Sequence, residues 1–249
     1  MKQMTAGTCI ALAAGCMGAW ALMIAPTPQP AAASGFSARI GSAIIPLAAP
    51  VGFVEAGSKS ARLLRNAEAM TMPANRLLAV FVSEQDLRAE LAGKEPEFAR
   101  YFTVQTLRQV EDKAVSGATF EFVRNKVRSQ YRQQLQRAAP ALRQHVDAAA
   151  KSIAKDSDVA DYALRAGEMR PIEVFNDQPT SISLLVLSKF TVSGGGTARE
   201  QPVVLGLTTA LFRQRVVYLY AFSNDESPAD TAWIKAQTLA WVQRLSQTN

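Results

Sequence analysis

The chain has 249 residues, of which 48% are apolar and 19% charged, and it carries a formal net charge of +6. That length supports one well-buried core and excludes two large ones. Its two cysteines, Cys9 and Cys16, lie near the N-terminus and its single histidine is His145. A body lacking the first stretch therefore has no thiol for a disulfide, a zinc cage or nucleophilic catalysis, and a multi-histidine zinc site is excluded throughout.

Taken in order, Met1 to Pro30 opens with Lys2 and runs uncharged from Thr5 to Ala25 before a proline-rich break and Ala31-Ala32-Ala33-Ser34. A basic start, an apolar centre and an A-x-A ending describe a secretory signal cleaved after Ala33. The same run is long enough to cross a bilayer, so an anchor retained through residues 5–25 is a second reading. Ala13-Ala14-Gly15-Cys16 resembles a bacterial lipobox with Ala where Leu is usual, which makes lipidation at Cys16 a third. All three put the folded part in the periplasm or outside the cell, either free or held at the inner membrane. The expected division is a signal or anchor over 1–33, a small-residue linker over 34–42 and one globular domain over 43–249.

Ala43 to Phe53 reads as an edge strand interrupted by Pro46 and Pro50. Ser58 or Ser60 caps a short helix through Ala69, which Met72-Pro73 ends. Arg76 to Val82 is a buried strand, Glu84 to Leu91 a short helix, and Tyr101 to Leu107 a strand by its alternation and β-prone composition. After a break at Ser116-Gly117, Thr119 is expected to cap a long helix whose apolar set, Phe120, Val123, Val127, Tyr131 and Leu135, shares one face. Pro140 predicts a kink or restart, with a second segment running to Ala154. The chain returns to a strand near Ile172 to Phe175, turns at Asn176-Asp177 and Pro179, and enters three strands: Ile182 to Val192, Gln201 to Phe212 and Arg215 to Phe222. Short connections make them antiparallel neighbours. In the last strand neither alternating set is polar, so it is expected to be covered on both sides. Ser227 then caps a helix through Leu245 that buries Ile234, Trp241 and Leu245.

This order of elements, with the last strand, its acidic loop Asn224-Asp225-Glu226 and the helix from Ser227 to Leu245 as the most specific piece, resembles the Mog1/PsbP-like fold. That family comprises small secreted or lumenal bacterial and chloroplast proteins. Over about residues 43 to 246 the resemblance implies an α+β fold, an antiparallel β-sheet flanked by helices as an α/β/α sandwich, and a binding or assembly role without a shared active site.

Charge is concentrated in the middle helix. Residues Ala118 to Lys155 hold Arg124, Lys126, Arg128, Arg132, Arg137, Arg143, Lys151 and Lys155 against Glu121 and Asp147, which equals the net charge of the whole chain. Arg124, Arg128, Arg132 and Arg143 are spaced to share a face, which suits contact with anionic headgroups or an acidic envelope partner. The competing reading is a solvated outer face. An exported chain without exposed aromatics among these cations is a poor nucleic-acid binder.

Reactive constellations are sparse. Ser152-Ile153-Ala154-Lys155 matches S-x-x-K but lacks its companion elements, and His145, between Arg143 and Asp147, reads as a surface histidine. Gly194-Gly195-Gly196 precedes another strand rather than a helix, so it reads as a hairpin loop. Asp156, Asp158 and Asp161 lack the rest of a calcium loop. The expectation is an exported, non-enzymatic envelope protein with a binding or assembly role and no cofactor or metal. The alternatives are an enzyme using Ser152, Lys155 and His145, or a small-ligand carrier with a pocket between the sheet and the middle helix.

Overall fold

The computed structural model describes residues 35–156, 163–194 and 197–249. The signal, anchor and lipidation readings, together with Asp158, Asp161, Gly195 and Gly196, lie outside the described residues. In chain order the elements are β1 (Ser37–Ile40), β2 (Ala43–Pro46), β3 (Phe53–Glu55), α1 (Ala61–Met70), β4 (Asn75–Ser83), α2 (Glu84–Leu91), β5 (Arg100–Leu107), α3 (Gly117–Asp156), β6 (Ala163–Gln178), β7 (Ser181–Gly194), β8 (Thr197–Phe212), β9 (Arg215–Ser223) and α4 (Pro228–Thr248). This is the expected α+β class, with antiparallel sheets. β1 and β2 form a hairpin, and the other seven strands form one sheet in the order β3-β4-β5-β9-β8-β7-β6.

That order explains why α3 is long. The chain leaves the middle of the sheet at β5, reaches the far edge through α3, and returns as the meander β6-β7-β8-β9 until β9 lies beside β5. A 40-residue helix is about 60 Å long, enough to carry the chain past the whole of β6. The β8–β9 connection is the expected pair Arg213 and Gln214, with φ of 46° and 63°. Left-handed values at both central positions match the twist of a two-residue hairpin.

Alternation along the strands divides the core. Ala79 and Phe81 of β4, Phe102 and Val104 of β5 and Val217, Leu219 and Ala221 of β9 face the cluster built by α4 and the β1–β2 hairpin. Val80 and Val82 point the other way, under Leu63 of α1 and Leu87 of α2. Leu184, Val186 and Leu205, also on that second face, meet Val127, Tyr131 and Leu135 of α3. Helices thus lie on both faces of the sheet.

Several expectations are corrected. Ser37–Ile40, assigned to the linker, is a strand whose Ala38 and Ile40 are buried, because alternation over four residues suffices when a partner strand lies three residues on. The single edge strand over 43–53 is split between β2 and β3, with Pro46 ending the first and Pro50 inside the break. Ser116, not Thr119, caps α3: its Oγ accepts the Thr119 N–H at 3.1 Å. Pro140 does not divide the helix. Pro140 and Gln136 are both exposed, so the carbonyl that loses its partner faces water. β6 is 16 residues long and runs through Asn176 and Asp177, where a turn was expected. As the outermost strand it tolerates Pro171, and its register shifts three times against β7, which discourages further pairing along that edge.

Candidate functional site: the cleft beneath the basic helix

Between α3 and the sheet lies a cleft of about 480 Å³ lined by Phe122, Val123, Lys126, Val127, Tyr131, Gln134, Leu135 and Ala138 of α3 and by Leu184, Leu207, Thr209 and Tyr218 of the sheet. Its size falls in the range of small-molecule sites, as does a mostly apolar wall with few polar groups. Helical spacing brings the α3 residues to one side. Strand register builds the floor, since Leu207 pairs with Leu184 and Thr209 with Tyr218.

Two arginines set the height of the helix above this floor. Arg128 Nη2 lies 2.5 Å and Arg124 Nη1 3.5 Å from the carboxylate of Asp177 on β6. The hydrogen bond that Arg128 donates to Asp177 holds its guanidinium more firmly protonated. Arg132 Nε donates to its neighbour's Tyr131 hydroxyl at 3.2 Å, and its guanidinium lies over that ring. Arg143 is exposed, and no ion pair engages it among the described residues. The four arginines expected to share a face make different contacts from one flank of the helix: Arg124 and Arg128 reach Asp177 at the sheet edge, Arg132 lies over an aromatic ring, and Arg143 meets solvent.

The opposite flank of α3 carries Lys126, Arg137, Lys151 and Lys155 by helical periodicity. Lys126 lines the cleft with its Nζ 5.7 Å from the Phe122 ring centre, and Phe122 is 66% exposed. On the floor, burial pushes the Tyr218 hydroxyl above the ordinary phenol range. Tyr101 and Tyr220, on the same face, are raised by the same cause. Tyr101 stacks on Phe222 at 4.4 Å between ring centres, nearly parallel, and extends the aromatic floor beyond the cleft.

The residues proposed for chemistry do not converge. Ser152 and Lys155 are exposed, and no hydrogen bond joins them among the described residues. His145 is half-buried rather than on the surface, and its Nε2 is buried without a partner. It lies seven residues from Ser152, roughly 10 Å along the axis. Among the described residues no group of three or more His, Cys, Asp or Glu side chains is arranged to hold a metal ion, and no helix is long and apolar enough to cross a membrane.

Sequence reasoning named a pocket under the middle helix without its residues. The sequence places Asp177 at a turn and singles out neither Thr209 nor Tyr218, and it marks Lys126 only as one cation among eight. Only the strand register and the rotation of α3 bring these residues together.

No family model and no curated protein matches the chain. Among solved structures, a mutant of protein Mog1 is similar to it, with 16% sequence identity over 86% of this chain and 92% of that one and a TM-score of 0.29. A likeness at that score carries no argument, and the α+β class rests on the chain's own elements.

Proposed function

We propose that this chain is an exported, non-enzymatic binding protein of a bacterial envelope, built as a Mog1/PsbP-like sandwich, which takes its ligand in the cleft between α3 and the sheet. The observation that carries this reading is the cleft itself, a mostly apolar, half-open groove of about 480 Å³ whose floor is continuous with half-buried aromatics. The N-terminal sequence supports export, the element order supports the family, and the separation of Ser152, Lys155 and His145 favours binding over catalysis. Nile red, a neutral apolar dye, tests the site. The full chain should bind it saturably, with a blue-shifted emission, and Ala138→Trp, at an exposed position on the wall, should abolish that binding in a protein with unchanged circular dichroism. Dye binding that the tryptophan leaves intact would remove the cleft as the site.

A second reading, contact with an anionic surface, is favoured by Arg137, Arg143 and Lys151, exposed cations with no acidic partner among the described residues. Flotation with anionic vesicles at low salt, absent with neutral ones, is its expected outcome. Equal flotation with both would overturn it.

A further inference from the structure

The cleft has two chemically different ends, and strand register says which is which. Arg124 and Arg128 are fixed to Asp177. Asp177 pairs with Ile182, Ile182 with Thr209, and Thr209 with Tyr218. The helical turn from 124 to 128 is therefore level with the Thr209–Tyr218 row, and Lys126, on the cleft side of that turn, belongs to the same level. Towards the C-terminus of α3 the lining continues through Val127, Tyr131, whose hydroxyl is taken by Arg132, the uncharged Gln134 and Leu135 to Ala138, over Leu184 and Leu207. From Phe122 to Ala138 the wall is about 24 Å long.

The polar end is short of acceptors. Lys126 has no carboxylate partner among the described residues, although the arginines two positions either side of it share one. No acidic side chain lines the cleft, and no hydrogen bond engages the Tyr218 or Thr209 hydroxyl among the described residues. Because burial favours the neutral phenol of Tyr218, it remains a donor at neutral pH. An ammonium and two hydroxyls at one end of an elongated, mostly apolar cleft are the complement of one negative head on one apolar tail.

We propose that the cleft binds a long-chain carboxylate, with its head at Lys126, Thr209 and Tyr218 and its tail along α3 towards Leu135 and Ala138. This rests on the cleft being the binding site and adds the class of ligand and its direction. Burial of the tail supplies the affinity, and Lys126 selects the head.

Titration of the full chain with dodecanoate, 1-dodecanol and dodecyltrimethylammonium tests it, with Nile red reading the cleft independently. Dodecanoate should bind one to one and at least tenfold more tightly than the alcohol, with the quaternary ammonium weakest. Lys126→Glu, at an exposed position, should weaken dodecanoate at least tenfold and leave dodecanol unchanged. Ala138→Trp should weaken both. Equal affinity for acid and alcohol, or indifference of dodecanoate to Lys126→Glu, would overturn the head-group assignment while Nile red binding leaves the cleft standing. Failure of Nile red and all three amphiphiles to bind a folded sample would remove both the site and its ligand.

Discussion

On one face of the sheet α4 carries Ile234, Trp241, Val242 and Leu245 into burial, whereas on the other Val127, Tyr131 and Leu135 of α3 stay half-buried, as do Leu207 and Tyr218 of the floor beneath them. The same strands serve both. Val217, Leu219 and Ala221 of β9 face α4 and are buried, while their neighbours Tyr218, Tyr220 and Phe222 face α3 and are not. Close approach makes the difference. A Cβ on Gly206 of β8 would come within 2.7 Å of Thr238 Oγ1 and 2.9 Å of Ile234 Cγ2, so α4 rests directly on the backbone of the sheet. α3 is held at the edge strand by its arginines and meets tyrosines and leucines, which hold it off. One face is closed to maximise packing, and the other keeps space.

The sharpest way to break that contrast is to empty both faces in turn. Trp241 is 2% exposed, packs against Phe81 and Phe102, and donates its indole N–H to the Ala48 carbonyl at 2.8 Å. Trp241→Ala should cost about 3–5 kcal/mol in urea unfolding. Leu135→Ala, over the cleft, should cost less than about 2 kcal/mol, because the side chain is only half removed from water. Equal losses would mean that α3 is packed as tightly as α4. The close approach has its own test: Gly206→Ala should destabilise by about 1–3 kcal/mol through overpacking against Ile234 and Thr238, and an unchanged urea midpoint would show that α4 yields.

Much of the α4 side was legible in the sequence, and the α3 side was not, for a physical reason. Ser227, Pro228 and the spacing of Ile234, Trp241 and Leu245 are local signals, so the last helix and its buried face could be read directly. So could β4, α2 and β5, whose patterns are short and unmixed. β6 was visible only near Ile172–Phe175, because Gly167, Glu168, Arg170 and Pro171 have no strand propensity of their own and are held extended by β7 and by α3 above them. The salt bridge to Asp177 joins residues about 50 positions apart, and nothing local announces it. The cleft depends on the rotation of α3 as well, which cations on two opposite flanks of the helix obscure.

The N-terminus of α4 carries a pH dependence of its own. Ser227 Oγ accepts the Asp230 N–H at 3.1 Å, and Asp230 accepts from Ser223 at 2.6 Å and from Arg100 at 2.8 Å. Burial pushes the Asp230 carboxyl up, but the hydrogen bonds from Ser223, Ser227 and Arg100 outweigh it and hold the group below the usual carboxylate range. A carboxylate depressed in the folded state stabilises fully above its unfolded value near 3.9, and that contribution is lost as pH falls through the folded value. Glu90 behaves alike: burial raises it, and Arg62 and Ser60 lower it further. Asp230→Ala should cost about 1–2 kcal/mol at pH 7 through loss of the hydrogen bonds its carboxylate accepts from Ser223, Ser227 and Arg100, and less as the medium is acidified below about pH 4. A loss that stays constant down to pH 3 would show that the carboxylate is not depressed.

The smallest effect concerns what holds α3. Asp177→Asn removes the charge that Arg124 and Arg128 share, while Arg128 stays exposed and hydrated, so the global unfolding midpoint should barely move. The local consequence is larger than the global one, because between Phe120 and Val146 α3 has no buried side chain to hold it in place without those arginines. Amide exchange should speed up across residues 120–135 of α3 and stay unchanged across α4. Under the same substitution, Lys126 should lose its level with the Thr209–Tyr218 row. Exchange that is equally slow along α3 in both proteins would mean that its half-buried apolar residues already suffice, and the two faces would then differ in shape without differing in stability.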